Sequence, residues 1–120
     1  MPEAETLAPD MLIRHGHAES AAAFENTPDL ERFLGSNTLS TVRLPSDVDL
    51  APLALRLHNV KTILVNFTGF ADGRGFSIGR ELRRKYGYMG QLIAEGPLIP
   101  DQYVYALQCG FDAVKVDEKT

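Results

Sequence analysis

The run Thr62-Ile63-Leu64-Val65-Asn66-Phe67 is apolar on both faces that a β-strand presents. Such a strand has to be covered above and below, which is the position of a central strand in a parallel sheet. The segments around it repeat on a regular plan. Leu39 and Thr41 to Leu44 form a short β-like run that stops at Pro45. Leu50, Leu53, Ala54 and Leu57 fall at i, i+3, i+4 and i+7, which predicts a helix over Val48–Leu57 with Ser46 or Asp47 as its cap. A second helix is predicted over Gly75–Tyr86, with Gly75, Ile78, Gly79, Leu82 and Tyr86 on its inner face. Gln91–Ala94 reads as another buried strand. Pro100–Cys109 reads as a helix opened by proline and stopped by Gly110, and Ala113–Val116 as a last strand. The order is β-α-β-α-β-α-β, so the fold class is α/β with a small parallel sheet and right-handed crossovers. An open sheet and half of a (β/α) barrel both satisfy it. Ile63, Leu64, Val65, Leu92 and Ile93 make two-faced strands, yet there are only three crossover helices. One sheet face is therefore left for a partner chain or the N-terminal helix to cover, and a homodimer is expected.

The chain has 120 residues, the length of one domain. Residues 1–10 hold two prolines and three acids and read as a disordered tail; 11–37 as an N-terminal helical segment; 38–120 as the α/β domain. The predicted N-terminal helix runs in two pieces within Ala18–Leu34, the second opened by Pro28 and ended by Gly35. Twelve Lys and Arg against sixteen Asp and Glu give a formal charge of −4, which argues against nucleic acid as a partner. No apolar run approaches the ~18 residues of a membrane span. The start, Met1-Pro2-Glu3-Ala4-Glu5, lacks the basic and apolar regions of a signal peptide, so a cytoplasmic location is expected.

Ligands of parallel α/β folds bind beyond the carboxyl ends of the strands. The predicted topology gathers Asp47, Thr68, Asp72, Arg74, Glu95, Asp101 and Asp117 on that rim. The richest loop is Phe67 to Ser77, where Gly73 and Gly75 precede a helix start. Between Asp72 and Tyr86 there are five bases and two acids, a local charge of +3 in an acidic chain. Asp72, Gly73, Arg74, Gly75, Ser77, Arg80, Asp101 and Gln102 are the candidate anion-binding residues. The plainer alternative is that Asp72 caps the helix while Arg80, Arg83, Arg84 and Lys85 form a solvated face, with Glu81 and Lys85 paired at i, i+4.

Cys109 is the only cysteine. It falls in the last turn of its predicted helix, where the dipole disfavours a thiolate and spacing offers no cation, so an unreactive packed thiol is expected. His15 and His17 read as loop histidines, His58 as a helix-end residue, and the four tyrosines as core rims. There is no G-x-G-x-x-G fingerprint, no Cys pair and no iron–sulfur spacing, so the residues point to no cofactor and no metal.

Phe70-Ala71-Asp72-Gly73-Arg74-Gly75-Phe76-Ser77, then Leu82 to Tyr88, Gly90-Gln91-Leu92, Leu98 to Gln102 and Cys109-Gly110-Phe111-Asp112-Ala113 together resemble one bacterial family of unknown function. Its members are encoded beside assimilatory sulfite-reductase and sulfate-reduction genes and often carry the label of an oxidoreductase involved in sulfite reduction. The resemblance covers Thr38–Val116, with the Asp-Gly-Arg and Cys-Gly-Phe-Asp clusters the most specific parts. Gln108 stands where the family pattern has arginine, and Pro97 where it has a polar residue. The resemblance implies a setting, sulfur assimilation, and supplies no reaction. Three functions stay open. The first is an accessory protein that binds a small anion or docks on a sulfate- or sulfite-reduction enzyme. The second is an enzyme for a small oxyanion or phosphorylated substrate, with Asp72 or Asp101 as base and Arg74 as clamp. The third is a structural homodimer without a ligand.

Overall fold

The computed structural model describes residues 11–14, 17–20, 24–68, 73–98 and 100–116. Six strands form one open sheet: β1 (Met11–Arg14), β2 (His17–Ser20), β3 (Thr41–Pro45), β4 (Thr62–Asn66), β5 (Gln91–Gly96) and β6 (Ala113–Val116). Their spatial order is β2-β1-β6-β5-β4-β3. The last four pair in parallel and in chain order, as the alternating pattern predicts. The hairpin β1–β2 adds two antiparallel strands beside β6, so the sheet is mixed. The helices are α1 (Leu30–Leu34), α2 (Ala51–Ala54), α3 (Arg74–Arg84) and α4 (Pro100–Gln108).

Strands that neighbour in chain order, joined by right-handed crossovers, carry all their helices on one face. Val42, Leu44, Ile63, Val65, Leu92, Ala94 and Val114 point to that face and form the main core with Phe76, Ile78, Leu82, Ala106 and Phe111. Gly75, Ile78, Gly79 and Leu82 line the buried side of α3 as predicted. Gly110 ends α4 with φ of 105°, as its position after the helix requires. The helix expected over Val48–Leu57 is shorter. Only Ala51–Ala54 is α-helical, followed by a 3-10 turn over Leu57–Asn59. Neither Ser46 nor Asp47 caps it; the Ala51 amide donates to Asp49 Oδ1 instead, at 3.1 Å.

The N-terminal helical extension is corrected. Strands occupy 11–14 and 17–20, and among the described residues of the predicted two-piece helix the α-helical ones are Leu30–Leu34. Pairing with β6 overrides the helix propensity here, because it buries Leu12 beside Leu64, Ile93 and Ala113 on the second face of the sheet. Residues 1–10 and Ala21 to Ala23, which carried the tail and much of the helix expectation, lie outside the described residues. Phe24 packs on the same second-face cluster. Beyond it, Arg43 on β3 donates to the carbonyls of Phe24 (2.9 Å) and Thr27 (3.2 Å), and its own amide donates to Pro28 O at 2.8 Å. The described residues Phe24 to Pro28 thus lead over the second face to the β3 edge. The segment from Ser20 to Pro28 can reach ~27 Å, enough for the roughly 24 Å of five strand spacings. Leu64, Ile93 and Ala113 are fully buried within one chain. The uncovered face that led to the homodimer expectation is therefore absent among the described residues.

Two arginines fasten this architecture. Arg43 pairs with Glu95, whose side chain is 8% exposed and also lies 3.7 Å from Lys115 Nζ. Arg83 holds the opposite end of the sheet. Its guanidinium donates to the carbonyls of Gly110 (2.8 Å), Tyr88 (2.8 Å) and Gly90 (2.9 Å) and to Asp112 Oδ2 (2.9 Å). Asp112 Oδ2 also accepts the Leu92 amide at 2.9 Å. The sequence reading of Arg83 as part of a solvated face is corrected: α3 turns it inward, where orphan carbonyls need donors.

Arg83→Lys keeps the charge but cannot serve four acceptors with one rigid fork. It should cost about 2–4 kcal/mol, from charged hydrogen bonds of roughly 1.5–3 kcal/mol each, read from the urea midpoint. A loss under 1 kcal/mol, on the order of a surface substitution, would refute the clamp. Glu95→Ala leaves two cations against a buried surface without their carboxylate, and should cost roughly 3 kcal/mol or more. Limited proteolysis of that variant should cut first between residues 20 and 30, where Arg43 no longer has a fixed orientation; cutting elsewhere first would contradict the strap.

Candidate functional site

Of the eight candidate anion-binding residues, the contacts given among the described residues join Ser77 and Arg80. Asp72 lies outside the described residues, as does Asp117 of the predicted rim. Gly73 is the N-cap of α3 and makes no side-chain capping bond. Gly75 is buried, and a Cβ there would collide with the Phe67 ring, so its lack of a side chain serves ring packing. Arg74 is exposed at the first turn of α3 and Asp101 at the first turn of α4. Gln102 is half-buried on α4. Glu95, expected on the open rim, is instead buried on the second face of the sheet by Arg43 and Lys115. Its penultimate place in β5 turns its side chain away from the helices.

Ser77 and Arg80 do meet. They stand one turn apart on α3, and Arg80 Nη2 donates to Ser77 Oγ at 3.2 Å. Tyr105 of α4 and Cys109, the residue that follows α4, complete the group. Arg80 Nη1 lies 2.9 Å from the Tyr105 hydroxyl and 3.2 Å from Cys109 Sγ. Phe76 fixes the Tyr105 ring in an edge contact with centroids 4.8 Å apart. The hydrogen bond to the Cys109 thiol, followed by that to Tyr105, raises the Arg80 guanidinium above its ordinary value. It therefore stays cationic at every pH at which the protein folds. All its partners are hydroxyl or thiol groups, and no carboxylate is within 4 Å among the described residues.

The group lies in the groove between α3 and α4. Arg80 follows Gly73 by seven residues, but its guanidinium reaches back to Ser77, whose amide donates to Gly73 O at 3.4 Å, so the group stands one turn from the start of α3. The sequence missed Tyr105 and Cys109 as partners because they belong to another helix, and only the packing of α4 against α3 brings them to Arg80. The expectation that Cys109 has no cation beside it is corrected accordingly. The thiol is nevertheless 3% exposed, and burial restricts attack by any reagent. Native protein should react with iodoacetamide at least about tenfold more slowly than the urea-unfolded chain at the same pH, since thiolate accessibility governs the rate. Equal rates would show that the groove opens freely.

No curated protein and no solved structure matches this chain. A family described as "Bacterial protein of unknown function (DUF934)" matches residues 41–120. The match begins at the first residue of β3 and includes all four parallel strands and the Arg80 and Arg83 groups, while the hairpin and the crossing segment precede it. By that match over most of its length, the chain belongs to the DUF934 family of bacterial proteins of unknown function.

Proposed function

We propose that this chain is an accessory protein of sulfite and sulfate reduction that binds a small oxyanion at Arg80. The setting is the one implied by the resemblance of the Asp72-Gly73-Arg74 and Cys109-Gly110-Phe111-Asp112 regions to proteins encoded with sulfite-reductase genes. Oxyanion binding is supported by one observation: Arg80 is a half-exposed cation held by Ser77, Tyr105 and Cys109 with no carboxylate partner among the described residues. A guanidinium has five N–H donors in a planar fork that matches two oxygens of one anion. Three neutral contacts orient that fork and leave its charge uncompensated. The Ser77 and Tyr105 hydroxyls can rotate to donate to a bound oxygen. Sulfite and sulfate have the size and charge for this position.

A catalytic rim of Asp72, Arg74 and Asp101 draws no comparable support. Arg74 and Asp101 are exposed at the first turns of separate helices, and neither lies in the Arg80 group.

Calorimetric titration with sodium sulfite and sodium sulfate at low ionic strength tests the assignment. Arg80→Gln should weaken binding by about tenfold or more, since charge-assisted hydrogen bonds contribute roughly 1.5–3 kcal/mol. Arg74→Gln should leave the affinity within about twofold, as an exposed charge outside the site contributes well under 1 kcal/mol. Equal binding by wild type and Arg80→Gln, or a larger loss in Arg74→Gln, would place the anion elsewhere.

A further inference from the structure

The amino-terminal end of the parallel strands carries a surface that the anion site does not use. Met89 is 92% exposed there, on the loop between α3 and β5. A side chain that apolar is left in water without any packing partner to hold it. Two hollows flank it, of about 780 Å³ and about 450 Å³, and both have Tyr88, Met89 and Gly90 as a common wall. The larger hollow continues onto Leu107, and Leu107 and Val104 lie one turn apart on α4, 39% and 61% exposed. An apolar stripe therefore runs from α4 to the Met89 loop.

Positive charge surrounds this stripe. Arg14 and Arg83 line the larger hollow. Arg84 and Lys85 are exposed at the end of α3, with Lys85 Nζ 5.3 Å from the centre of the Tyr86 ring, which lines the smaller hollow. Lys61 is exposed beside Gly90. Among the described residues, two of those five cations, Arg83 and Lys85, pair with the carboxylates Asp112 and Glu81, so the set is net positive, whereas the whole chain carries −4. The polarity of this end is thus opposite to that of the molecule.

We propose that this end of the sheet docks an acidic amphipathic helix of a partner protein, with Met89 seated between two apolar side chains of that helix. An amphipathic helix presents apolar residues about one turn, roughly 5.4 Å, apart, which places one on each side of Met89. Methionine suits such a contact because its unbranched thioether adapts to the opposing surface. The rim cations steer an acidic helix and disfavour a basic one. Nucleic acid fits less well: its phosphates would have to lie across the exposed Val104, Leu107 and Met89 side chains. The proposal uses none of the residues assigned to the oxyanion, so either can fail alone.

The test uses the full chain labelled with 15N and on methionine methyls. The probe is a synthetic helix with leucines on one face and glutamates on the other. Shifts should concentrate on residues 86–90, on Val104 and Leu107, and on the Met89 methyl. Met89→Glu, and separately the pair Arg84→Glu and Lys85→Glu, should each weaken binding by about tenfold or more, the scale of an interface hot spot. All these positions are exposed, so the variants should fold, and a thermal melt like that of wild type checks this. The surface is wrong if a lysine-for-glutamate version of the probe binds as tightly, if Met89→Glu binds unchanged, or if the shifts spread evenly. Displacement of the probe by a single-stranded oligonucleotide would assign the charge to nucleic acid instead.

Discussion

The Arg83 guanidinium is the point through which the parallel half of the fold is tied together. It reaches from α3 to the loop before β5, to the turn after α4 and, through Asp112, to the first amides of β5. The loop before β5 and the turn after α4 are irregular backbone, with the carbonyls of Tyr88, Gly90 and Gly110 taken up by Arg83. Leaving such groups buried and unpaired costs about 1–3 kcal/mol each. One rigid five-donor fork answers several of them at once. The left-handed turn at Gly110 is shaped by the same contact, since a side chain there would occupy the space of the Arg83 stem. Much of what resembles the family, Arg83 together with Gly110, Phe111 and Asp112, is therefore scaffolding.

That division separates two neighbouring arginines on α3. Arg83 spends its donors on backbone carbonyls and a carboxylate, and its charge is neutralised by Asp112 at 2.9 Å. Arg80, three residues earlier, meets only hydroxyls and a thiol. Residues three apart share a helix face and differ by about 4.5 Å along the axis, and that step moves the contact from Tyr105 and Cys109 to the turn at Gly110. The contacts that hold the fold and those of the proposed oxyanion site thus fall on different arginines of one basic run. The surface around Met89 lies on the Arg83 side of this divide.

The parallel half was legible from sequence because its signals are local. Two-faced strands such as Thr62–Asn66, the 3.6-residue spacing of Ile78, Gly79 and Leu82, and the Pro100 and Gly110 boundaries are written within a few residues of each element. The N-terminal third was not legible. Leu12 becomes a strand residue only because β6 and the second-face cluster are there to receive it, and Arg43 marks the crossing only through carbonyls 16 and 19 residues away. Ala-rich composition then favours helix, and long-range pairing overrules it. The same reason split the candidate site. Glycines and charge near the start of α3 were visible, but Tyr105 and Cys109 approach Arg80 from 25 and 29 residues away. Gly75, taken as an anion cradle, is small to admit the Phe67 ring.

In the proposed function an oxyanion binds at the uncompensated charge of Arg80 and not on the glycine backbone at the start of α3. A crystal soaked in selenate tests it most directly, because the selenium position can be found from its anomalous signal alone. The expected peak lies between α3 and α4, with selenate oxygens within hydrogen-bonding distance of the Arg80 guanidinium and the Ser77 and Tyr105 hydroxyls. A peak confined to the Gly73 to Gly75 backbone and Arg74, with the Arg80 groove empty, would contradict it.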